Sequence, residues 1–166
     1  MTDTIRVCLA DYANPLHGKA LVEMLDAYAR DPMGGGEGLS AFAKAHLVAE
    51  LARVPGAFSV LAFDGEADTI PVGLVNCMQG FSTFACKPLI NVHDVAVLSA
   101  YRGRGIAERM FGLVEAVARE RGACKLTLEV LSGNAGAMRL YARVGFARYA
   151  LDPAAGEASF MQKWLG

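Results

Sequence analysis

The sequence predicts an α/β (α+β) fold with elements in the order β-α-α-β-β-β-α-β-α-β-β. Three observations carry this expectation. Short β-branched or aromatic runs alternate with a period of two, amphipathic stretches with helical spacing stand between them, and glycine or proline punctuates most junctions. With 166 residues, 54% of them hydrophobic, the chain is long enough to bury a core as one domain, residues 1–166, without disulfide or metal staples.

"TIRVCLA" alternates and opens as the first strand. Asp11 or Asn14 can cap a helix with Pro15 in its first turn and Leu16, Leu21, Leu25 and Tyr28 near helical spacing. "RDPMGGGEGLS" must break that helix into a mobile loop, and Ser40 then caps a second one that runs to Pro55 and Gly56. "AFSVLAF" and "IPVGLVNCM" flank the polar turn "DGEADT" and predict an antiparallel hairpin. After "GFSTFACKP", the segment "LINVHDVAVL" is the fourth strand, and its apolar end predicts burial on both faces. From Ile106 the period changes: Ile106, Met110, Leu113, Val114 and Val117 form one helical stripe, which Gly122 ends. "CKLTLEVL" is the fifth strand, with Leu126, Leu128 and Val130 on one face. Asn134 caps a short helix to Val144, Gly145 stops it, and "FARYAL" and "ASFMQKWL" read as two final strands.

Composition narrows the function. A formal charge of −1 provides no global basic field for nucleic acid or an acidic membrane surface. There is no apolar run of about 18 residues to span a bilayer, and "MTDTIRVCLADY" lacks the basic start and apolar stretch of a signal peptide, so a cytoplasmic protein is expected. Cys8, Cys77, Cys86 and Cys124 form no CxxC pair and have no histidine at ligand spacing, so free thiols and no metal are expected. The first, second and fourth of these stand in strand-like, buried contexts. Cys86, in a loop, is the one whose reactivity is worth testing.

"YRGRGIAERM" follows the fourth strand and opens the third helix. It has neither the GxxxxGK spacing of a P-loop nor the position of a dinucleotide fingerprint. The first turn of a helix presents N–H groups and a positive dipole end, and glycines let an anion approach the backbone. Arg102, Gly103, Arg104, Gly105, Ile106 and Ala107 therefore read as a pyrophosphate site, against the alternative of a tight glycine turn with solvated arginines.

The wider segment "DVAVLSAYRGRGIAERMFGLVEAVARERG" resembles the central motif of the GNAT superfamily of acetyl-CoA-dependent N-acetyltransferases, with Arg102, Gly105 and Ala107 in its three defined positions. "NAGAMRLYARVGF" resembles that family's second motif. The resemblance implies a mixed, mostly antiparallel sheet splayed between its fourth and fifth strands, with acetyl-CoA as cosubstrate and no metal. It implies that Val95, Ala96 and Val97 bond the pantetheine arm and that Asn134 contacts the cofactor or fixes the splay, beside its plain role as a helix cap. Tyr141 falls at the family's acid position, near the sulfur; the alternative is a core aromatic. His93 is the leading general base, since an imidazole can accept a proton near neutral pH; the alternative is a bond to a neighbouring strand. Strand alternation puts His93 and Asp94 on opposite faces. Asp94, Glu37 and Glu129 are candidate contacts to the substrate amine, with Glu129 also the reserve base, and Met33 to Ser40 is a candidate lid.

"FSTFACKPLINVHDVAVLSAYRGRGIA" also looks like the diamine and thialysine branch of the superfamily, which carries a Glu-Asp pair where this sequence has His93-Asp94. The expected acceptor is a small primary amine or amino acid, with diamines included and protein amino termini less favoured. The final strands suggest a homodimer, as in many relatives. Two other classes stay open: an acetyl-CoA-binding sensor without catalysis, and a nucleic-acid module using Arg102 and Arg104, which the near-neutral charge disfavours.

Overall fold

The computed structural model describes residues 4–65 and 67–165. The elements are β1 (Ile5–Leu9), α1 (Pro15–Arg30), α2 (Ala41–Leu51), β2 (Phe58–Asp64), β3 (Pro71–Ser82), β4 (Lys87–Val97), α3 (Ile106–Glu120), β5 (Leu126–Leu128) and α4 (Ala135–Arg143), with a single 3-10 turn at Pro32–Gly34 between α1 and α2. They form one sheet in the order β1-β2-β3-β4-β5. Every neighbouring pair is antiparallel except β4 and β5, which run parallel.

The caps are those the side chains dictate. Asn14, Ser40 and Asn134 each accept a backbone N–H from the first turn of their helices. Strand β2 is buried through Phe63 because both sheet faces are covered. On one face α3 lays Ile106, Met110, Phe111, Val114 and Val117 against Val60, Val75 and Val92. On the other, α1 and α2 lay Ala20, Leu21, Met24 and Leu51 against Leu61, Phe63 and Leu74. Each of these Val, Leu, Ile, Phe and Met side chains taken fully from water stabilises the fold by roughly 1.5–3 kcal/mol before entropy, so this two-sided core is what holds the sheet.

Two irregularities in β4 position the site. Asn76 of β3 faces Asp94, yet Cys77 faces Val92, so His93 is an extra residue in a β-bulge. Consequently Val92 and Val95 both meet the α3 core, while Asp94 and Ala96 lie on the α1 side. Strict alternation across His93 and Asp94, expected from the sequence, is broken here. The second irregularity is that β4 pairs with β5 only from Ile90 to Val92. Beyond that point the strands splay.

The carboxyl-terminal strands are a correction. Among the described residues β5 is the edge of the sheet, and the segments "FARYAL" and "ASFMQKWL" form no strand. Their alternating pattern lacks an inward-facing partner: Phe146 packs on Phe111 and Tyr141, while Tyr149, Leu151, Phe160, Met161, Trp164 and Leu165 are exposed. Pro153, after the cap residue Asp152, turns the chain into one 3-10 turn between the two segments. Strand β5 is also shorter than "CKLTLEVL" suggested, and Cys124 stands exposed ahead of it.

Candidate active site

The splay opens a cleft of about 870 Å³. One wall is Val95, Ala96, Val97, Leu98 and Ser99 of β4 and its continuation; the facing wall is Asn134, Gly136, Ala137, Leu140 and Tyr141 of α4. Arg102, Gly103, Gly105, Ile106, Ala107 and Glu108 line it at the start of α3, and Met24, Ala27, Tyr28, Asp31 and Met33 line it along α1 and the following turn, with Asp31 meeting Arg102 between the two. Among the described residues the splay leaves the β4 edge at Val95–Val97 without a strand partner, and there only the Val97 carbonyl is taken, by Arg102.

At the α3 end, Gly105 occupies the N-cap with φ +73° and no side chain caps the helix. The first helical bond runs from the Arg109 N–H to the Gly105 carbonyl. A Cβ at either Gly103 or Gly105 would meet open space within 4 Å, so the backbone here faces the cleft bare. The arginines are occupied elsewhere. The Arg102 Nε–H donates to the Val97 carbonyl (3.1 Å) and its guanidinium pairs with Asp31 (3.4 Å), while Arg104 lies over the Tyr101 ring at 5.1 Å. Arg143 of α4 donates to Glu108 of α3 at 2.7 Å, tying the two helices that flank this end.

Tyr141 is held edge-on between Phe111 and Phe146. Burial, with Tyr28 adding, pushes its phenol up to about 12, so it keeps its proton throughout the neutral range. Burial likewise raises Tyr28, helped by Asp94 and Asp31. The two phenols and the Asp94 carboxylate thus share one electrostatic neighbourhood at the α1 end.

His93 is exposed beside the end of the parallel ladder. Its Nδ1 lies 2.7 Å from Asn91 Oδ1, and Asn91 Nδ2 donates to Thr127 Oγ1 at 3.0 Å. Because the Asn91 oxygen only accepts, Nδ1 carries the proton and Nε2 is left as the basic atom. Asp94 accepts from Asn76 Nδ2 at 3.0 Å. His93 and Asp94 immediately precede the cleft-lining stretch of β4 rather than lining it.

Glu37 and Glu129 are exposed and do not line the cleft. The Met33–Ser40 loop is tied down: Asp31 caps Met33, Leu39 N–H donates to Asp26 at 2.8 Å, and a Cβ on Gly34 would stand 2.0 Å from the Tyr28 carbonyl. Burial alone would raise Asp26, but the Leu39 N–H, Lys44 and Arg30 outweigh it and hold the carboxyl below its ordinary value. At least one of the loop's glycines therefore serves close packing, where the composition suggested mobility. His17 is buried, its Nδ1 accepting from Asp11 N–H and its Nε2 meeting Asp68, which fixes the β1–α1 loop.

Tyr28, Asp31, Asn76 and Asn91 are absent from the sequence-based list. Tyr28 sits in a helical apolar stripe and looks like core; Asn76 had a signal, a lone amide inside the apolar run "VGLVNCM".

The model of the acetyltransferase (GNAT) family matches residues 21–146. The chain belongs to the GNAT acetyltransferase family. The GNAT family uses acetyl-CoA as its acyl donor. Streptothricin acetyltransferase of Streptomyces lavendulae is 36% identical over 95 residues, 55% of this chain and 50% of that protein. N-alpha-acetyltransferase 30 of Schizosaccharomyces pombe is 40% identical over 55 residues, 33% of this chain and 37% of that protein. This GNAT chain thus spans half or less of the length of those curated relatives. A probable acetyltransferase of known structure superposes with a TM-score of 0.79 at 19% identity, covering 96% of this chain and 98% of that one. An aminoglycoside acetyltransferase, meta-AAC0020, from an uncultured soil metagenomic sample, in complex with sisomicin, superposes with a TM-score of 0.74 at 13% identity, covering 98% and 96%. These two likenesses show the GNAT fold.

One consequence concerns the core of this GNAT sheet. Burial pushes the Cys77 thiol from 9.0 up to about 12. In the unfolded chain the thiol loses its proton first, so the unfolded state binds fewer protons between those values and stability falls as pH rises. Thermal melts from pH 8 to 11 should show a steady loss of Tm, and Cys77→Val should flatten it by up to about 1.4 kcal/mol per pH unit above pH 9. Identical slopes for both proteins would contradict this.

Proposed function

We propose that the splayed cleft takes acetyl-CoA and transfers its acetyl group to the primary amine of a small molecule by direct attack, the chain working as one domain, 1–166. The observation that carries this reading is a coincidence in one cleft: an unpaired β4 edge, a bare helix N-terminus, and a buried phenol that keeps its proton. Acetyl-CoA supplies an electrophilic thioester when bound. Val95, Ala96 and Val97 hold the pantetheine arm through the strand's free edge, as an added strand would be held. Gly103 to Ala107 hold the pyrophosphate with backbone N–H groups, Arg102 and Arg104 add positive charge, and Asn134 fixes the start of the facing helix.

His93 Nε2, with the proton kept on Nδ1 by Asn91, removes a proton from the ammonium directly or through water. Tyr141 attends the sulfur. A phenol near 12 is a weaker acid than a thiol of about 8.5, so it chiefly stabilises the departing sulfur by donating a hydrogen bond. Asp94 attracts the ammonium, and Tyr28 and Asp31 shape that end of the cleft.

The four cysteines are free thiols, which suits a cytoplasmic setting. The exposed apolar side chains of the carboxyl segment suit burial against a second copy, so a homodimer is part of the proposal. The N-alpha-acetyltransferase relative favours a second acceptor class, protein amino termini. An acetyl-CoA-dependent thiol-release assay over amino acids, diamines, aminoglycosides and short peptides decides among these. Signal from a small amine supports the proposal; signal from peptides alone replaces the acceptor class, and none at all points to a sensor.

A further inference from the structure

The described residues bury three polar or charged side chains: His17, Ser59 and Asn76. His17 ties down a loop, as described above. Ser59 and Asn76, 1% and 2% exposed, lie on the central strands β2 and β3, where apolar replacements for the pair would hold the sheet equally well. Their bonds form a line. Tyr12 Oη is 2.9 Å from Ser59 Oγ, Ser59 Oγ is 2.6 Å from Asn76 Oδ1, and Asn76 Nδ2 is 3.0 Å from Asp94 Oδ2.

The chemistry gives that line one direction. An ionised carboxylate only accepts, so the Asn76 nitrogen must face Asp94. The Asn76 oxygen then requires the Ser59 proton, and the Ser59 oxygen receives the Tyr12 proton. Burial raises the Tyr12 phenol, which keeps that first donor protonated. Every donor points toward Asp94, and the last bond is charge-assisted.

We propose that Asn76 is a positioning residue, which through this directed chain fixes the Asp94 carboxylate as the anchor for the acceptor's ammonium group. The inference rests on the acetyl-transfer reading above. The bulge supplies the geometry: it turns Asp94 toward the α1 side next to Tyr28, while His93 is held separately by Asn91. The two adjacent residues thereby acquire separate roles, anchor and base. The titratable groups around Asp94 are Tyr28 from α1, Cys77 from β3 and His93 beside it on β4.

The test is a double-mutant cycle read in steady-state kinetics, with the amine that gives the most turnover. Asn76→Ala should raise KM for the amine about tenfold, the size of one lost hydrogen bond to a charged group, with KM for acetyl-CoA unchanged. In an Asp94→Asn background the same substitution should have no further effect, because Asn76 acts through Asp94. Ser59→Ala and Tyr12→Phe, smaller changes, should follow in the same direction should Asn76→Ala fold poorly. A readout without turnover accompanies these: the carbon-13 chemical shift of the Asp94 carboxyl at neutral pH reports its hydrogen bonding, and it should move in Asn76→Ala and in Ser59→Ala relative to the parent protein. An Asn76→Ala effect that persists in Asp94→Asn, or an unmoved carboxyl signal, overturns the proposal. If the parent protein acetylates no amine, the acetyl-transfer reading falls instead, and the NMR signal alone decides whether Asn76 positions Asp94.

Discussion

Gly105→Glu should abolish acetyl-CoA binding while leaving a folded protein. The backbone at this N-cap has φ +73°, a conformation that costs an L-residue about 1–2 kcal/mol, and nothing within 4 Å obstructs a new Cβ. The fold therefore survives with a small loss of Tm. The added carboxylate lies at the positive end of α3, where it satisfies the helix itself and repels an incoming pyrophosphate. We expect affinity to fall by at least about a hundredfold, equivalent to losing one or two charge-assisted hydrogen bonds. Gly105→Ala is the control, since it adds the backbone strain without the charge. Arg102→Ala alone should act weakly, because that guanidinium is already engaged by the Val97 carbonyl and Asp31. Calorimetric titration with coenzyme A measures all three; undiminished binding by Gly105→Glu would remove the pyrophosphate from the α3 end.

Tyr141→Phe should lower kcat by about a hundredfold or more with coenzyme A affinity and Tm preserved. The ring keeps its edge contacts with Phe111 and Phe146, so only the hydroxyl is lost. Because the phenol holds its proton to about pH 12, the parent enzyme's activity below pH 10 should show no alkaline loss attributable to Tyr141. The outcome that contradicts this role is a Phe variant with parental turnover. Buried phenol would then be core packing, the alternative that the sequence also allowed.

The α3 stripe, the Asn134 cap and the glycine stretch were readable in the sequence because each rests on local periodicity or a single backbone requirement. The hairpin of β2 and β3 was likewise local. The bulge at His93 was not, since one extra residue in β4 is defined only by its partner β3. Strict alternation therefore assigned His93 and Asp94 to opposite faces and hid the separate amide anchors that Asn91 and Asn76 provide. Tyr28 was hidden for a related reason: a helical stripe does not reveal that one of its residues reaches a cleft. The carboxyl segments show the converse error. "FARYAL" and "ASFMQKWL" alternate as strands do, but alternation makes a strand only where an edge is there to pair with it.

Amide hydrogen exchange of the protein with and without acetyl-CoA tests the central claim most directly. Val95 to Val97 and Gly103 to Glu108 should both gain protection on binding, because the unpaired β4 edge and the bare start of α3 hold two parts of one ligand. Saturated binding with neither segment protected would contradict the placement of acetyl-CoA in the splayed cleft.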